Sequence, residues 1–472
     1  MMNIYSLDVS KIRMTGFTIK LSEYTSNPLF FFASINIFRA TLMYISGDTT
    51  LFNIDYALIL IPACLMSRRG INKWHISSVS IALFIVAASF DALGFFGRLY
   101  RWGPDFYDSY FLGYNDLPWF EILPLVFLGL AVIVIFCLPL STMQFRKKGI
   151  LSLILLCGVI GAYDIYIEQS PHKDLDGEKN TLTSPIKFAF SNYIRAIAAG
   201  HSVKLLTEPT MDRIVRATAP TQILSVSLES LGLPILKADS VKLIEQPLRA
   251  MLKSYNISFS HHNFYGSTLQ GEMRELCSLH VNGNPSHPEI VKYFSDCLPS
   301  FLSRSGYSTW GLHGNGGEIY NRKNVYPLIG FQHAVFYSDM ASSPEIRPCE
   351  HTPFRGICDH DMYVRALRLF DGSRRFVHIM TLDTHLPVYP TAPSECSGSF
   401  RNNASLCGYS KAIMRSLNDL ATTILHSNKK PDLIFIYGDH APPFFSASTR
   451  QFFDGKQVPF IILKRKDDGR RR

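Results

Sequence analysis

Leu433-Ile434-Phe435-Ile436-Tyr437-Gly438-Asp439-His440 is an apolar run of strand length that stops on a glycine, a carboxylate and an imidazole. Runs of this kind, bounded by Gly, Asp and His, read as buried strands. The arrangement recurs upstream. Residues 223–228 run into Glu229, 259–265 into Gly266-Ser267-Thr268, 307–312 into His313, and 376–382 into Asp383-Thr384-His385. In open α/β sheets, ligands gather at the carboxyl ends of the strands. Strand ends carrying Glu, Thr, His, His and Asp-His are therefore expected to converge on one metal-assisted active site. Helical patterns over 241–255, 286–304, 361–370 and 409–425 alternate with these runs, which predicts an α/β sandwich.

The front of the chain has another composition. Apolar stretches at about 28–46, 51–66, 74–96, 119–141 and 150–167 approach the length that crosses a bilayer, roughly 20 residues. The spacing predicts a transmembrane domain of about five helices over residues 1–167. Basic clusters at Lys11, Arg13 and Lys20, at Arg68, Arg69 and Lys73, and at Arg146, Lys147 and Lys148 mark the cytoplasmic loops. An odd number of spans then leaves everything after 167 outside the cytoplasm. The first span reads as an uncleaved anchor. Arg39 and Asp91 are the polar exceptions inside these spans; they mark an interface, a pairing between helices or a role in lipid handling.

Residues 168–220 read as a juxtamembrane connector, 221–465 as an extracytoplasmic catalytic domain and 466–472 as a basic tail. The net charge of +9 follows mainly from the loop clusters and that tail. Basic residues do not interleave with aromatics, so nucleic acid is set aside. Six of the 9 cysteines fall in the exported part. An even set outside the cytoplasm implies disulfides, and proximity along the chain favours Cys277–Cys297, Cys349–Cys358 and Cys396–Cys407. No C-x-x-C pair supports zinc ligation by these cysteines.

The chemistry starts from ligand types. Glu229, Asp439 and His440 offer two carboxylates and one imidazole to a divalent cation (Mn2+, Mg2+ or Zn2+). A hydroxyl at the same ion has its pKa lowered and becomes a nucleophile, and Thr268, with Ser267 beside it, is the candidate. His313 opens His-Gly-Asn-Gly-Gly, a loop whose N–H groups suit an anion. Arg322 offers a fork that matches a phosphate, and His385 can donate a proton to a leaving oxygen.

Together these residues resemble the alkaline phosphatase/sulfatase superfamily in its membrane-anchored branch, which holds lipoteichoic acid synthases, phosphoglycerol transferases and phosphoethanolamine transferases. The family's metal-binding Glu matches Glu229 in Leu-Glu-Ser-Leu-Gly, and its nucleophilic Thr matches Thr268 in Gly-Ser-Thr. Its substrate-side segment matches His313 with Tyr320-Asn321-Arg322. Its Thr-Leu-x-x-His-x-Pro segment matches Thr381-Leu382 with His385 and Pro387, and its closing Tyr-Gly-Asp-His is 437–440. The sequence also departs from the pattern. Tyr320 stands where lipoteichoic acid synthases carry Trp, Asp383-Thr384 where they carry Ser-Asn, and Leu269-Gln270-Gly271-Glu272 follows no one subgroup. Cys297-Leu298-Pro299-Ser300 begins like the formylglycine signature of true sulfatases but continues with Phe301 instead of Arg.

The resemblance implies a multi-pass enzyme of a bacterial inner membrane with a periplasmic catalytic domain. It would move phosphoglycerol or phosphoethanolamine from a phospholipid donor, through Thr268, to a glycan or lipid A type acceptor. A phosphoric or sulfuric ester hydrolase built on the same metal site is the alternative expectation.

Overall fold

The structure is a computed structural model that describes residues 28–46, most of 53–99, three positions between 154 and 159, and 201–466 apart from 208–210, 342–347 and Pro353. The chain divides into two compact units, the first holding the N-terminal helices and the second all of 189–472.

In the first unit, α1 (Pro28–Ser46) and α2 (Lys73–Leu99) coincide with the first and third expected spans. Among the described residues no helix is long and apolar enough to cross a membrane. The expected span at 119–141 lies outside the described residues, as do most of 150–167 and part of 51–66. Of the readings open for Arg39 and Asp91, the structure shows a pairing between helices. Arg39 donates Nε to Asp91 Oδ2 at 2.6 Å and Nη2 to Oδ1 at 2.8 Å. The Tyr56 hydroxyl adds a third bond to the same carboxylate at 3.2 Å. A paired, hydrogen-bonded charge is the form in which burial is tolerated.

The second unit is an α/β sandwich. Its strands are β1 (Ser202–Leu205), β2 (Gln222–Leu228), β3 (Tyr255–Asn263), β4 (Leu279–Asn282), β5 (Ser308–His313), β6 (His333–Val335), β7 (Arg375–Met380), β8 (Leu433–Gly438) and β9 (Gln457–Arg465). Its main helices are α3 (Met211–Thr218), α4 (Thr268–Cys277), α5 (Leu298–Arg304), α6 (Arg322–Leu328), α7 (Asp359–Leu369) and α8 (Ala404–His426). Seven strands form one sheet in the order β3-β9-β8-β2-β7-β5-β6. The five from β8 to β6 are parallel, while β9 runs antiparallel to both β8 and β3. Strand β2 lies at the centre and is buried along its whole length, as a parallel strand covered on both faces must be.

Alternation along β2 splits the core. Leu224, Val226 and Leu228 pack with α7 and α8 on one face, whereas Ile223 packs with α4 and α5 on the other. Ser225 and Ser227 share the face of Ile223 and lie fully buried behind α4.

Four of the five apolar runs form parallel strands that end at the same edge. The fifth differs: β3 stops at Asn263, joins the sheet only through β9, and Thr268 opens α4 instead of closing a strand. The helix expected over 241–255 is a succession of short turns across 237–253, broken where Pro247 lacks an N–H. The helix expected over 286–304 is interrupted at Cys297, whose extended backbone caps α5. All three expected disulfides are formed. The connector expected over 168–220 contributes to this unit, because β1 pairs with β4 and α3 buries Met211 and Val215 in its core.

Candidate active site

Glu229, Thr268, Asp439 and His440 meet at the carboxyl end of β2 and β8. All four are buried. Thr268 Oγ1 donates to Glu229 Oε2 at 3.2 Å and lies 3.4 Å from His440 Nε2. His440 Nε2 is 3.3 Å from both Glu229 Oε1 and Asp439 Oδ2. The ligand atoms of Glu229, Asp439 and His440 all lie within 4.8 Å of one another. Residues more than 200 positions apart are brought together by the register of β2 on β8, which sets Leu228 beside Gly438.

These residues fit a divalent cation. Asp439 Oδ2 is buried and has no hydrogen-bond partner, a state that costs free energy unless a cation faces it. His440 Nδ1 sits 3.0 Å from the Ala441 carbonyl, so Nδ1 carries the proton and Nε2 turns its lone pair to the carboxylates. An imidazole lone pair facing two carboxylate oxygens is repulsive without positive charge between them. Before a cation binds, a proton on Nε2 supplies that charge. The Asp439 and Glu229 charges overcome burial and push the His440 pKa up to about 9. Burial, then the Glu229 charge, push Asp439 up to about 7. Burial opposes ionisation of Glu229, but His385 and His440 hold it well below the usual carboxylate range.

Neighbours absent from the expected site hold these ligands in place. Glu229 donates its N–H to Thr381 Oγ1 at 2.9 Å, and Thr384 Oγ1 donates to its carbonyl at 2.6 Å. Thus two threonines of the Thr-Leu-Asp-Thr-His segment pin the Glu229 backbone. Arg274, fully buried on α4, donates Nη2 to Gly438 O at 2.7 Å and Nη1 to Asp439 O at 3.2 Å. Its Nε is bound to Glu275 at 2.6 Å, and Glu275 contacts His262 at 2.7 Å. Gly271 is required one turn earlier: an added Cβ there would fall 2.6 Å from Asp439 Cα. Helix α4 therefore carries Thr268, the candidate nucleophile, and is packed directly on the loop that holds Asp439 and His440. Its N-terminus, at Thr268, favours negative charge developing on that oxygen.

The other expected residues are placed as follows. His385 is partly exposed; its Nδ1 is buried without a partner, and its ring meets Phe354 edge-on at 4.5 Å. Burial lowers its pKa against the opposing charge of Glu229. His313 is buried with Nδ1 3.0 Å from Met380 O, and burial followed by the charge of Arg322 lowers it to about 4. The glycines after it serve packing: a Cβ on Gly314 would sit 2.6 Å from Ile357 O, and the Gly316 N–H is taken by Asn315. Arg322 is buried, with Nε and Nη2 both 2.8 Å from Glu272 Oε2, so in this state its fork is on a carboxylate and not open to a phosphate. Tyr320 adopts a left-handed backbone beneath that guanidinium, 5.1 Å from it. Glu272 also accepts from Tyr326 at 2.5 Å and lies 3.5 Å from His378. Burial opposes its charge, yet Arg322 and His378 lower it to about 2.

Residues 248–469 match the family model described as Sulfatase, a match that begins after Glu229. No curated protein matches the chain. Three solved structures show low similarity over about half of it. The lipoteichoic acid synthase LtaP from Listeria monocytogenes is 16% identical over 55% of this chain and 69% of its own, with a TM-score of 0.37. The Streptococcus pyogenes phosphoglycerol transferase GacH, in complex with sn-glycerol-1-phosphate, is 17% identical over 52% and 68%, with a TM-score of 0.39. The C-terminal periplasmic domain of EcEptC from Escherichia coli, in complex with Zn, is 13% identical over 56% and 76%, with a TM-score of 0.37. The segment 248–469 is thus similar to the sulfatase family.

Proposed function

We propose that this chain is a membrane-bound phosphotransferase that moves phosphoglycerol or phosphoethanolamine from a phospholipid to an envelope glycan or lipid acceptor through Thr268. The observation that carries the reading is a hydroxyl, Thr268 Oγ1, held at a helix N-terminus between a carboxylate and an imidazole that face a buried, unpartnered carboxylate oxygen. Glu229, Asp439 and His440 would hold a divalent cation. When bound, that ion supplies charge to stabilise the Thr268 oxygen and the phosphate oxygens.

In the first half-reaction Thr268 Oγ1 gives up its proton and bonds to phosphorus, the bond to the diacylglycerol oxygen breaks, and that oxygen takes up the proton. In the second, an acceptor hydroxyl attacks phosphorus, the bond to Thr268 breaks, and the threonine oxygen regains its proton. His385 suits both exchanges, because a neutral imidazole can take the acceptor's proton and a charged one can return it. His313 is read on the substrate side, and Arg322 would join it only if Glu272 releases its fork. The apolar front of the chain, read as spans, gives a reason for a lipid donor. Manganese, magnesium and zinc all suit the ligand set.

The test is purified protein with fluorescent phosphatidylglycerol or phosphatidylethanolamine, with and without an envelope glycan. Transfer predicts a labelled glycan and little free headgroup. Headgroup release at the same rate with or without acceptor would establish a hydrolase instead.

A further inference from the structure

The two carboxylate ligands must each present a chosen oxygen to the ion, and a carboxylate free to rotate would not. One residue fixes both. Ser230 follows Glu229 and is 1% exposed. Its N–H donates to Asp439 Oδ1 at 2.7 Å, where the His440 N–H adds a second bond at 2.8 Å. Its hydroxyl donates to Glu229 Oε1 at 3.0 Å. With Asp439 Oδ1 saturated by two backbone donors, Oδ2 is the oxygen left unpartnered. With Glu229 Oε1 held by the Ser230 hydroxyl, Oε2 is the oxygen that meets Thr268.

This requires unusual backbone. Ser230 has φ +56°, a left-handed conformation that serine adopts at a cost of roughly 1 kcal/mol or more. The surroundings enforce it. The Tyr409 hydroxyl donates to the Ser230 carbonyl at 2.8 Å and accepts from the Gly232 N–H at 3.1 Å. A Cβ on Gly438 would strike the Leu231 carbonyl, so this turn and the ligand loop touch backbone to backbone. Glycine would meet the backbone demand at Ser230 without strain. A serine there is explained by its hydroxyl.

We infer that Ser230 is a positioning residue that sorts the oxygens of Glu229 and Asp439 and so pre-forms the cation site. The inference rests on the reading of Glu229, Asp439 and His440 as the ligand set. Outer groups that orient metal ligands typically account for about 10- to 100-fold in affinity.

The test is isothermal titration of chelator-stripped, full-length protein with Mn2+, for wild type, Ser230→Gly and Ser230→Ala, with thermal melting of each stripped protein. The expected result is that both variants bind Mn2+ at least about tenfold more weakly. The stripped glycine variant should melt at or above the wild type, and the alanine variant below the glycine variant, since alanine, like serine, bears the left-handed strain. Wild type that binds while Ser230→Gly matches its affinity overturns the inference and leaves the ligand reading standing. A glycine variant that unfolds before any metal is added assigns Ser230 to the fold and also overturns it. Stripped wild type that takes up neither Mn2+ nor Zn2+ overturns both.

Discussion

Two pairs of acids lie buried near the carboxyl edge of the same sheet, and their neighbours differ. Glu229 and Asp439 face an imidazole, and one of their oxygens has no partner. Asp359 and Asp383 face each other next to the Cys349–Cys358 disulfide, with Cys349 Sγ 3.3 Å from Asp383 Oδ1. Asp359 accepts from the Leu382 N–H at 2.8 Å and from the Ser416 hydroxyl at 2.8 Å, while Asp383 accepts from the Asp359 N–H at 3.2 Å. Burial, then the Asp359 charge, push Asp383 up to about 8. The bonded sulfurs offer no thiolate, so this pair has only hydrogen-bond donors beside it, where the other pair also has an imidazole. Equal burial thus gives different chemistry, and the neighbouring groups decide which.

The comparison can be broken most sharply at Thr268, the proposed nucleophile. Thr268→Ala should lower phospholipid turnover by roughly a thousandfold or more while sparing Mn2+ binding to within a few-fold; a steady-state assay beside a titration checks both. Asp439→Asn should cost about a hundredfold in Mn2+ affinity, whereas Asp383→Asn should leave that affinity unchanged. Equal losses in the two variants would erase the distinction between the pairs.

Arg274→Met leaves Glu275 buried without its cation and should destabilise the fold by about 3–5 kcal/mol in denaturant unfolding. The double variant Arg274→Met/Glu275→Gln should recover much of that stability yet still bind Mn2+ weakly, because the Gly438 and Asp439 carbonyls remain unclamped.

The smallest effect is in pH. Asp383 is raised from 3.8 to about 8, so its contribution is full below pH 3.8 and is lost as pH rises toward 8. His313 is lowered from 6.5 to about 4, so its contribution is full above pH 6.5 and is lost as pH falls toward 4. Between those limits the slopes oppose. Stability measured from pH 4 to 6.5 should rise more steeply for Asp383→Asn than for wild type, and less steeply for His313→Asn.

The residues that converge are legible in the sequence because each stands in a short segment at the end of an apolar run: Glu229 after β2, Asp439 and His440 after β8. Thr268 is picked out by its Gly-Ser-Thr context, although the strand expected before it is an antiparallel edge. Strand β9 and the short β6 were missed, and so were Ser230, Arg274, Thr381 and Thr384 as site residues. Their roles come from contacts across 150 positions or more, such as Glu229 with Thr381 or Ser230 with Asp439. No local pattern encodes such a pairing. Arg322 shows the converse: its type suits a phosphate, but Glu272, one helical turn beyond Thr268, occupies its fork. A buried glutamate at that place was the available signal.

The most direct measurement is the mass of the peptide containing Thr268 after brief incubation of the Mn2+-loaded protein with phosphatidylglycerol or phosphatidylethanolamine. A phosphoglycerol or phosphoethanolamine increment located on Thr268, and absent from Thr268→Ala, is the predicted result. Turnover that proceeds with Thr268 unmodified, or an increment on another residue, would contradict it.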